Sequence, residues 1–220
     1  VASDDNIKAL ILTANGKLFC GGGNLKFLLS KKKEVKKTLL EMTMYFHGAI
    51  SRMARMAAPV IVGVNGTAGG GGFSLAITGD IIYAVKDAKF TLAYTNAGLS
   101  PDGSSTYYLP RIVGMKRAKE LILTNRLFSA KEAYDMGLID LVVNSNEELN
   151  EALNKQAEIF SKGPINAYKS VKKLLNESFN NGLESQMETE SIHISNNAES
   201  KDGIEGLTAF IEKRKPNFNE

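Results

Sequence analysis

Short runs of apolar, β-branched residues alternate with longer amphipathic stretches over the first two thirds of the chain. Val60–Val64 is such a run, and because Pro59 and Gly66 bound it, it predicts a buried strand. Similar patterns predict strands over residues 8–13, 80–85, 89–92 and 138–143. Amphipathic patterns predict helices over residues 38–56, 104–109 and 116–123, with Pro110 ending the second of them.

Beyond residue 146 the strand patterns stop. The remaining segments all have helical periodicity, over residues 147–162, 165–179, 183–198 and 203–213. Strands alternating with helices, followed by helices alone, favour the α/β fold class. We therefore predict an α/β core over residues 1–146 and a C-terminal helical region over residues 147–220.

A glycine-rich stretch follows the strand predicted at Val60–Val64. Residues 67–72 read T-A-G-G-G-G, and residues 73–77 could open a helix. A tight strand-to-helix turn would explain the glycines. A phosphate-binding P-loop is disfavoured because Phe73 and Ser74 stand where Lys and Ser or Thr would follow. The G-x-G-x-x-G fingerprint of dinucleotide-binding proteins does not match either, since its third glycine would fall on Ser74 or Leu75.

A second glycine cluster suggests a different chemistry. Residues 19–25 read F-C-G-G-G-N-L and follow the strand predicted over residues 8–13. Two strand-then-glycine segments could direct two backbone N–H groups at one point. Such a pair forms an oxyanion hole, which stabilises negative charge that develops on a carbonyl oxygen.

Composition and charge limit the classes of protein to which the chain can belong. The chain is 43% hydrophobic and 23% charged, with a net charge of +3, which fits a soluble globular protein. It has no long apolar run of membrane-spanning length, and the single Cys20 cannot form an internal disulfide, so we expect a cytoplasmic or organelle-matrix setting. The lysine-rich residues 26–37 are expected to be a solvated surface rather than a nucleic-acid site. His47 and His193 lack metal-ligand spacing and are expected to be ordinary helix residues.

Several spaced motifs together resemble those of the crotonase superfamily, the enoyl-CoA hydratases and isomerases. Besides the two glycine clusters they are D-I-I-Y-A at residues 80–84, G-L-S-P-D-G at 98–103, L-P-R-I-V-G at 109–114 and A-F-I-E-K-R-K at 209–215. The resemblance implies a crotonase fold, a spiral of β-β-α units with a C-terminal helical region that assembles trimers, often paired into hexamers. The family normally has a strand pair and a helix before residue 8, so we expect that part of the core to be missing.

The resemblance also implies binding residues. The oxyanion donors would be the N–H groups of Gly23 and Gly71. Gly21 replaces the usual Ala and Asn24 the usual Asp of the first loop, and neither change removes a backbone donor. The residues implied to bind coenzyme A are Gly21, Lys26 and, reaching a neighbouring subunit, Phe210 and Lys213. For the last two, an amphipathic helix with a core Phe and a solvated Lys is the alternative.

The catalytic carboxylates depart from the hydratase pattern. The two hydratase Glu residues would fall on Ser74 and Tyr94, whereas Asp102 matches the carboxylate of the isomerase branch. The resemblance therefore implies an acyl-CoA isomerase, acting on an enoyl-CoA or a ring-type acyl-CoA, in which Asp102 moves a proton. It implies no metal or redox cofactor, with coenzyme A as part of the substrate. Residues 101–103 could instead be only a β-turn. A hydratase with one carboxylate and a non-catalytic CoA-binding scaffold also remain alternatives.

Overall fold

The computed structural model describes residue 4 and residues 6–218. Its strands are β1 (Leu10–Leu12), β2 (Leu18–Cys20), β3 (Val60–Val64), β4 (Thr67–Gly69), β5 (Ile81–Val85), β6 (Lys89–Thr91), β7 (Phe128–Ser129) and β8 (Leu141–Val143). Its helices are α1 (Leu25–Ser30), α2 (Val35–Arg55), α3 (Gly71–Ala76), α4 (Ser105–Thr124), α5 (Ala130–Asp135), α6 (Asn146–Ser161), α7 (Ile165–Glu177), α8 (Leu183–Glu199) and α9 (Lys201–Ile211). The chain divides into two compact units.

The larger unit comprises Ile11–Met53 and Val60–Leu153 and is built on two four-stranded sheets. The strand order is β1-β3-β5-β8 in one sheet and β2-β4-β6-β7 in the other. Strands β1 to β6 thus alternate between the two sheets, and β7 then pairs antiparallel with β6 in the second sheet. The pairs β2–β4, β3–β5, β4–β6 and β5–β8 are parallel. Parallel neighbours need a crossover connection, and here the crossovers include the helices. The result is a series of β-β-α units.

Apolar side chains account for the core of this unit. Every residue of Val60–Val64 is buried, as expected of a strand covered on both faces. Phe73 of α3 packs edge-on against Phe90 and Phe128, with ring centroids 6.4 and 5.9 Å apart. Because α3 follows the glycine stretch directly, this aromatic cluster anchors the glycine loop to the second sheet.

All five predicted strands are present at their predicted positions, as β1, β3, β5, β6 and β8, whereas β2, β4 and β7 were not predicted. These three segments have only two or three residues and belong to no longer apolar run, and β4 contains a glycine, so none gives a pattern of strand length. The prediction that Pro110 ends a helix is wrong. The chain stays helical through Pro110 and is interrupted at Gly114, whose φ of +78° is accessible to glycine without a steric penalty.

The smaller unit comprises Ala54–Pro59, the described residues up to Leu10 and those from Asn154 onward. Lys172 of α7 is buried and donates a hydrogen bond from Nζ to the Ala58 carbonyl oxygen at 3.1 Å. Several large apolar side chains of α8 and α9 are exposed, among them Leu183, Met187, Ile194, Ile204 and Leu207. Every helix in the described part of the chain is too short or too polar to span a bilayer.

A carboxylate near the C-terminal end of this unit gives a pH-dependent prediction. Arg214 donates two hydrogen bonds to Glu205, at 2.6 and 2.8 Å, and the Asn217 N–H donates a third at 2.7 Å. These bonds lower the pKa of Glu205 to about 2, from an ordinary value of 4.5, because they favour the ionised form. The lowered pKa stabilises the fold above pH 4.5, and this stabilisation is lost as the pH falls to about 2.

We therefore expect Arg214→Gln to lower the melting temperature near neutral pH, and the difference from the wild type to shrink between pH 4.5 and about 2. Thermal unfolding followed by circular dichroism over this range measures it. The effect is small because the pair is solvent-exposed. A difference in melting temperature that does not change with pH would contradict the assignment.

Candidate active site

The two glycine loops lie side by side because the strands that lead into them are paired. β2 precedes the first loop and β4 precedes the second, and the two strands run parallel with Cys20 opposite Ala68. The carboxyl ends of parallel strands meet at one edge of a sheet, so both loops emerge there. A Cβ atom built on Gly22 would lie 2.9 Å from the Gly71 nitrogen, which shows how closely the loops approach. The sequence had linked these loops to β1 and β3, which belong to the other sheet.

Each loop presents a backbone N–H that forms no hydrogen bond with another described residue. Gly71 is the first residue of α3, so its N–H has no acceptor within the helix. The backbone of Gly70 turns sharply just before it, with φ of +53° and ψ of −125°. Gly23 is exposed and open to ligand, as is Gly21. The predicted donor loops are thus brought together, and binding of a thioester oxygen by Gly23 and Gly71 stays a prediction.

Asn24, which replaces the usual Asp of the first loop, has a defined structural role. Asn24 caps α1, since its Oδ1 accepts a hydrogen bond from the Phe27 N–H at 3.0 Å. Asn serves as well as Asp at this position of a helix. The Gly22 N–H donates to the Cys20 Sγ at 3.5 Å, within the loop.

Asp102 lies in a turn, and its carboxylate is also held by side chains. The Asp102 carbonyl oxygen accepts hydrogen bonds from the Ser105 N–H at 3.2 Å and from the Ser105 Oγ at 2.9 Å. The Tyr94 hydroxyl donates to Asp102 Oδ1 at 2.7 Å. The sequence offered a turn over residues 101–103 as the alternative to catalysis, and the structure has a turn from Asp102 to Ser105 whose first residue presents a hydrogen-bonded carboxylate.

Tyr94 in turn contacts Ser74, which is fully buried on α3. The Ser74 Oγ and the Tyr94 hydroxyl are 2.8 Å apart. Burial raises the pKa of Tyr94 well above its ordinary value, and the negative charge of Asp102 adds to the increase. Tyr94 therefore keeps its proton and remains a hydrogen-bond donor to Asp102. The two positions that hold Glu in the hydratases are here a hydrogen-bonded Ser–Tyr pair.

His47 was not predicted as a site residue, and the structure brings it to Asp102. Its Nε2 lies 3.4 Å from Asp102 Oδ2 and 3.2 Å from the Gly103 N–H nitrogen, which donates to it. The Gly103 N–H can donate to Nε2 only where this nitrogen carries no proton. Only an imidazole protonated at Nε2 would donate to Oδ2. Nothing in the sequence near His47 indicated this contact, since the two residues are far apart along the chain.

Phe46, the neighbour of His47 on α2, links the glycine loop to the Asp102 turn. A Cβ atom on Gly71 would lie 3.7 Å from Phe46 Cε1, and one on Gly103 would lie 2.5 Å from the same atom. Gly103 also has a positive φ of +59°, so a larger residue would be strained and would collide with this ring. The ring therefore lies against both functional segments.

The remaining predicted binding residues are all exposed. Lys26 lies on α1 in the larger unit. Phe210 and Lys213 lie at the C-terminal end of the smaller unit, and the Phe210 side chain is 84% exposed. Phe210 is thus not a core residue of its own chain. Binding of coenzyme A by these residues and by Gly21 stays a prediction.

Comparison with known proteins gives the family. Residues 1–220 match the family described as enoyl-CoA hydratase/isomerase. The chain is 34% identical over 219 residues to 1,2-epoxyphenylacetyl-CoA isomerase of Escherichia coli (strain K12), covering 99% of this chain and 83% of that protein. It is 33% identical over 189 residues to 4-chlorobenzoyl coenzyme A dehalogenase-1 of Arthrobacter sp, covering 86% of this chain and 68% of that protein.

A solved structure gives the same result for the fold. The enoyl-CoA hydratase of Polaromonas sp. JS666 superposes with a TM-score of 0.92 at 34% identity, covering 98% of this chain and 84% of that one. The predicted α/β crotonase fold is confirmed, with its β-β-α units and C-terminal helices. These matches, together with the paired glycine loops, show that the chain belongs to the enoyl-CoA hydratase/isomerase family of the crotonase superfamily.

Proposed function

We propose that the protein is an acyl-CoA isomerase that moves a double bond by 1,3-proton transfer. The Asp102 carboxylate removes a proton from C2 of a 3-enoyl-CoA, and the electron pair moves onto the thioester oxygen to give an enolate. The N–H groups of Gly23 and Gly71 donate hydrogen bonds to this oxygen. The protonated Asp102 then delivers the proton to C4, and the enolate collapses to the conjugated 2-enoyl-CoA. The reaction needs no metal or redox cofactor.

The observation that carries this proposal is the hydrogen-bonded Asp102 carboxylate in a site whose two hydratase positions are Ser74 and Tyr94. Hydration needs groups that activate water and deliver a proton, and neither a serine nor a tyrosine with a strongly raised pKa replaces a carboxylate in that role. An isomerase needs one base that gives its proton back. The relative named as an isomerase supports the same choice.

Coenzyme A enters as part of the substrate in this proposal. Lys26 is exposed on α1, where a positive charge attracts the phosphates of the cofactor, and Gly21 lies in the adjacent loop. We also propose a homotrimer or hexamer in which Phe210 and Lys213 reach the coenzyme A of a neighbouring subunit. The 84% exposure of Phe210 and the exposed apolar side chains of α8 and α9 support this assembly.

A second candidate, hydrolytic removal of halide from an aromatic acyl-CoA, is favoured by the position of His47. Asp102 would attack the ring carbon that carries the halogen, the thioester oxygen would take up the electron pair, and halide would leave. Water, losing its proton to His47 Nε2, would then hydrolyse the aryl ester and regenerate Asp102. The relative named as a 4-chlorobenzoyl-CoA dehalogenase supports this alternative.

One substrate panel separates the candidates. The purified protein is incubated with a trans-3-enoyl-CoA, a trans-2-enoyl-CoA or 4-chlorobenzoyl-CoA, and the products are weighed by mass spectrometry. Isomerisation predicts that the first substrate gains the absorbance of a conjugated thioester without a change in mass. Addition of water to the second substrate would favour a hydratase, and chloride release from the third would favour the second candidate. Coenzyme A binding without turnover of any of them would leave a ring-type acyl-CoA substrate or a scaffold.

A further inference from the structure

The two oxygens of the Asp102 carboxylate have different environments. Oδ1 accepts a hydrogen bond from the Tyr94 hydroxyl at 2.7 Å. Oδ2 lies 3.4 Å from His47 Nε2, which already accepts a hydrogen bond from the Gly103 N–H. The Asp102 side chain is 31% exposed, so the carboxylate is reachable from outside. Oδ1 therefore carries the short hydrogen bond from the Tyr94 hydroxyl, whereas the contact of Oδ2 with the imidazole is longer, so Oδ2 is the oxygen that is more readily released to accept a proton.

The Tyr94 hydroxyl must be the donor to Asp102 because a carboxylate only accepts hydrogen bonds. A phenol has one proton, and Tyr94 donates it to Asp102, so the Ser74 hydroxyl must be the donor in its 2.8 Å contact with Tyr94. The other oxygen near Ser74 Oγ is the Gly70 carbonyl, and it lies farther away at 3.4 Å. The chain of donors thus runs from Ser74 to Tyr94 to Asp102.

This chain of hydrogen bonds connects α3, which begins at Gly71, to the turn that carries Asp102. Ser74 is fully buried on α3, three residues after Gly71, whose N–H is the predicted oxyanion donor. A rigid chain from α3 to the Asp102 turn fixes the carboxylate relative to that N–H. A base held in a productive orientation reacts faster because it loses less orientational freedom on reaching the transition state.

We propose that Tyr94 is a positioning residue that holds Asp102 through Oδ1 and makes Oδ2 the atom that removes and returns the substrate proton, with Ser74 holding Tyr94 in place. This inference rests on the proposed function, since it assigns the atom that carries the proton. Tyr94 itself exchanges no proton with the substrate.

The test is Tyr94→Phe, which removes the hydroxyl and keeps the ring. We expect kcat with a trans-3-enoyl-CoA to fall about 10- to 100-fold, as for loss of one hydrogen bond to a charged group, while KM stays within about twofold. Tyr168→Phe removes a partly buried hydroxyl in the smaller unit and is expected to leave both constants unchanged. An unchanged kcat in Tyr94→Phe, whether or not KM increases, would overturn the proposal.

A second variant tests the support from Ser74. Ser74→Ala removes the donor to Tyr94 and adds no volume, so kcat should fall in the same direction but by less than in Tyr94→Phe. A wild-type kcat in Ser74→Ala would overturn the role given to Ser74. Melting temperatures of both variants within a few degrees of the wild type separate positioning from loss of the fold.

A structural measurement keeps this inference separate from the isomerase assignment. If the wild type does not isomerise a 3-enoyl-CoA, the proposed function fails and kinetics cannot test Tyr94. Crystal structures of the wild type and Tyr94→Phe still can. We expect one orientation of the Asp102 carboxylate in the wild type and a rotated or disordered one in the variant. The same single orientation in both proteins would overturn the positioning role.

Discussion

Replacing Asp102 with Asn is expected to lower kcat for a trans-3-enoyl-CoA by about 10²- to 10⁴-fold, the usual contribution of a catalytic acid or base. The amide cannot remove a proton from C2, and no proton is then available for C4. The fold should survive, because the Asn side chain has the same shape and its Oδ1 can still accept the hydrogen bond from Tyr94. Steady-state kinetics with the purified variant measures the loss, and KM should change little.

The matched control is Asp87→Asn. Asp87 is exposed in the turn between β5 and β6, so this variant loses the same charge outside the site. It should retain the kcat of the wild type. If Asp102→Asn retained a tenth or more of the wild-type kcat, Asp102 would not be the base, since the loss would be smaller than general acid–base catalysis accounts for.

Replacing Gly71 with Pro is expected to lower kcat/KM by about 10²- to 10³-fold, the effect of removing one oxyanion donor. A backbone N–H can be removed by substitution only with proline, and Gly71 is suited to it. It is the first residue of α3, where proline is well tolerated, and the ψ of −125° at Gly70 lies outside the helical region that a following proline disfavours.

Gly71→Ala is the control for the added side-chain atoms. A Cβ atom at Gly71 would make ordinary contacts of 3.7 Å with Gly22 and Phe46, so alanine fits and keeps the N–H. We expect this variant to retain most of the activity. Equal activities of the Pro and Ala variants would contradict an oxyanion role for the Gly71 N–H, and circular dichroism of both checks that α3 and the core remain folded.

The sequence predicted the parts of the fold that have a local signal. The apolar run at Val60–Val64, bounded by Pro59 and Gly66, predicted a buried strand, and the motif around Asp102 identified a candidate base. The strands that position the glycine loops, β2 and β4, have three residues each and no apolar alternation. They are recognised only in the structure, where they pair with each other. Their pairing, rather than that of the longer strands, explains why the loops meet.

The hydrogen-bond partners of Asp102 could not be predicted for a related reason. His47 is 55 residues before Asp102 and lies on a helix whose pattern marks it only as amphipathic. Tyr94 and Ser74 were identified as positions where carboxylates are absent, and no sequence pattern indicated that the two hydroxyls contact each other or that the Tyr94 hydroxyl contacts the base. Such contacts depend on how distant segments fold together, which periodicity does not report.

The most direct test of the account follows the hydrogen that Asp102 is proposed to move. A trans-3-enoyl-CoA with both hydrogens at C2 replaced by deuterium is mixed with excess wild-type protein in ordinary water, quenched after a single turnover and analysed by NMR and mass spectrometry. One carboxylate that removes and returns the same hydrogen predicts a conjugated product with deuterium at C4 and no added water. A product with only solvent hydrogen at C4, or one that has gained water, would contradict the proposed 1,3-transfer.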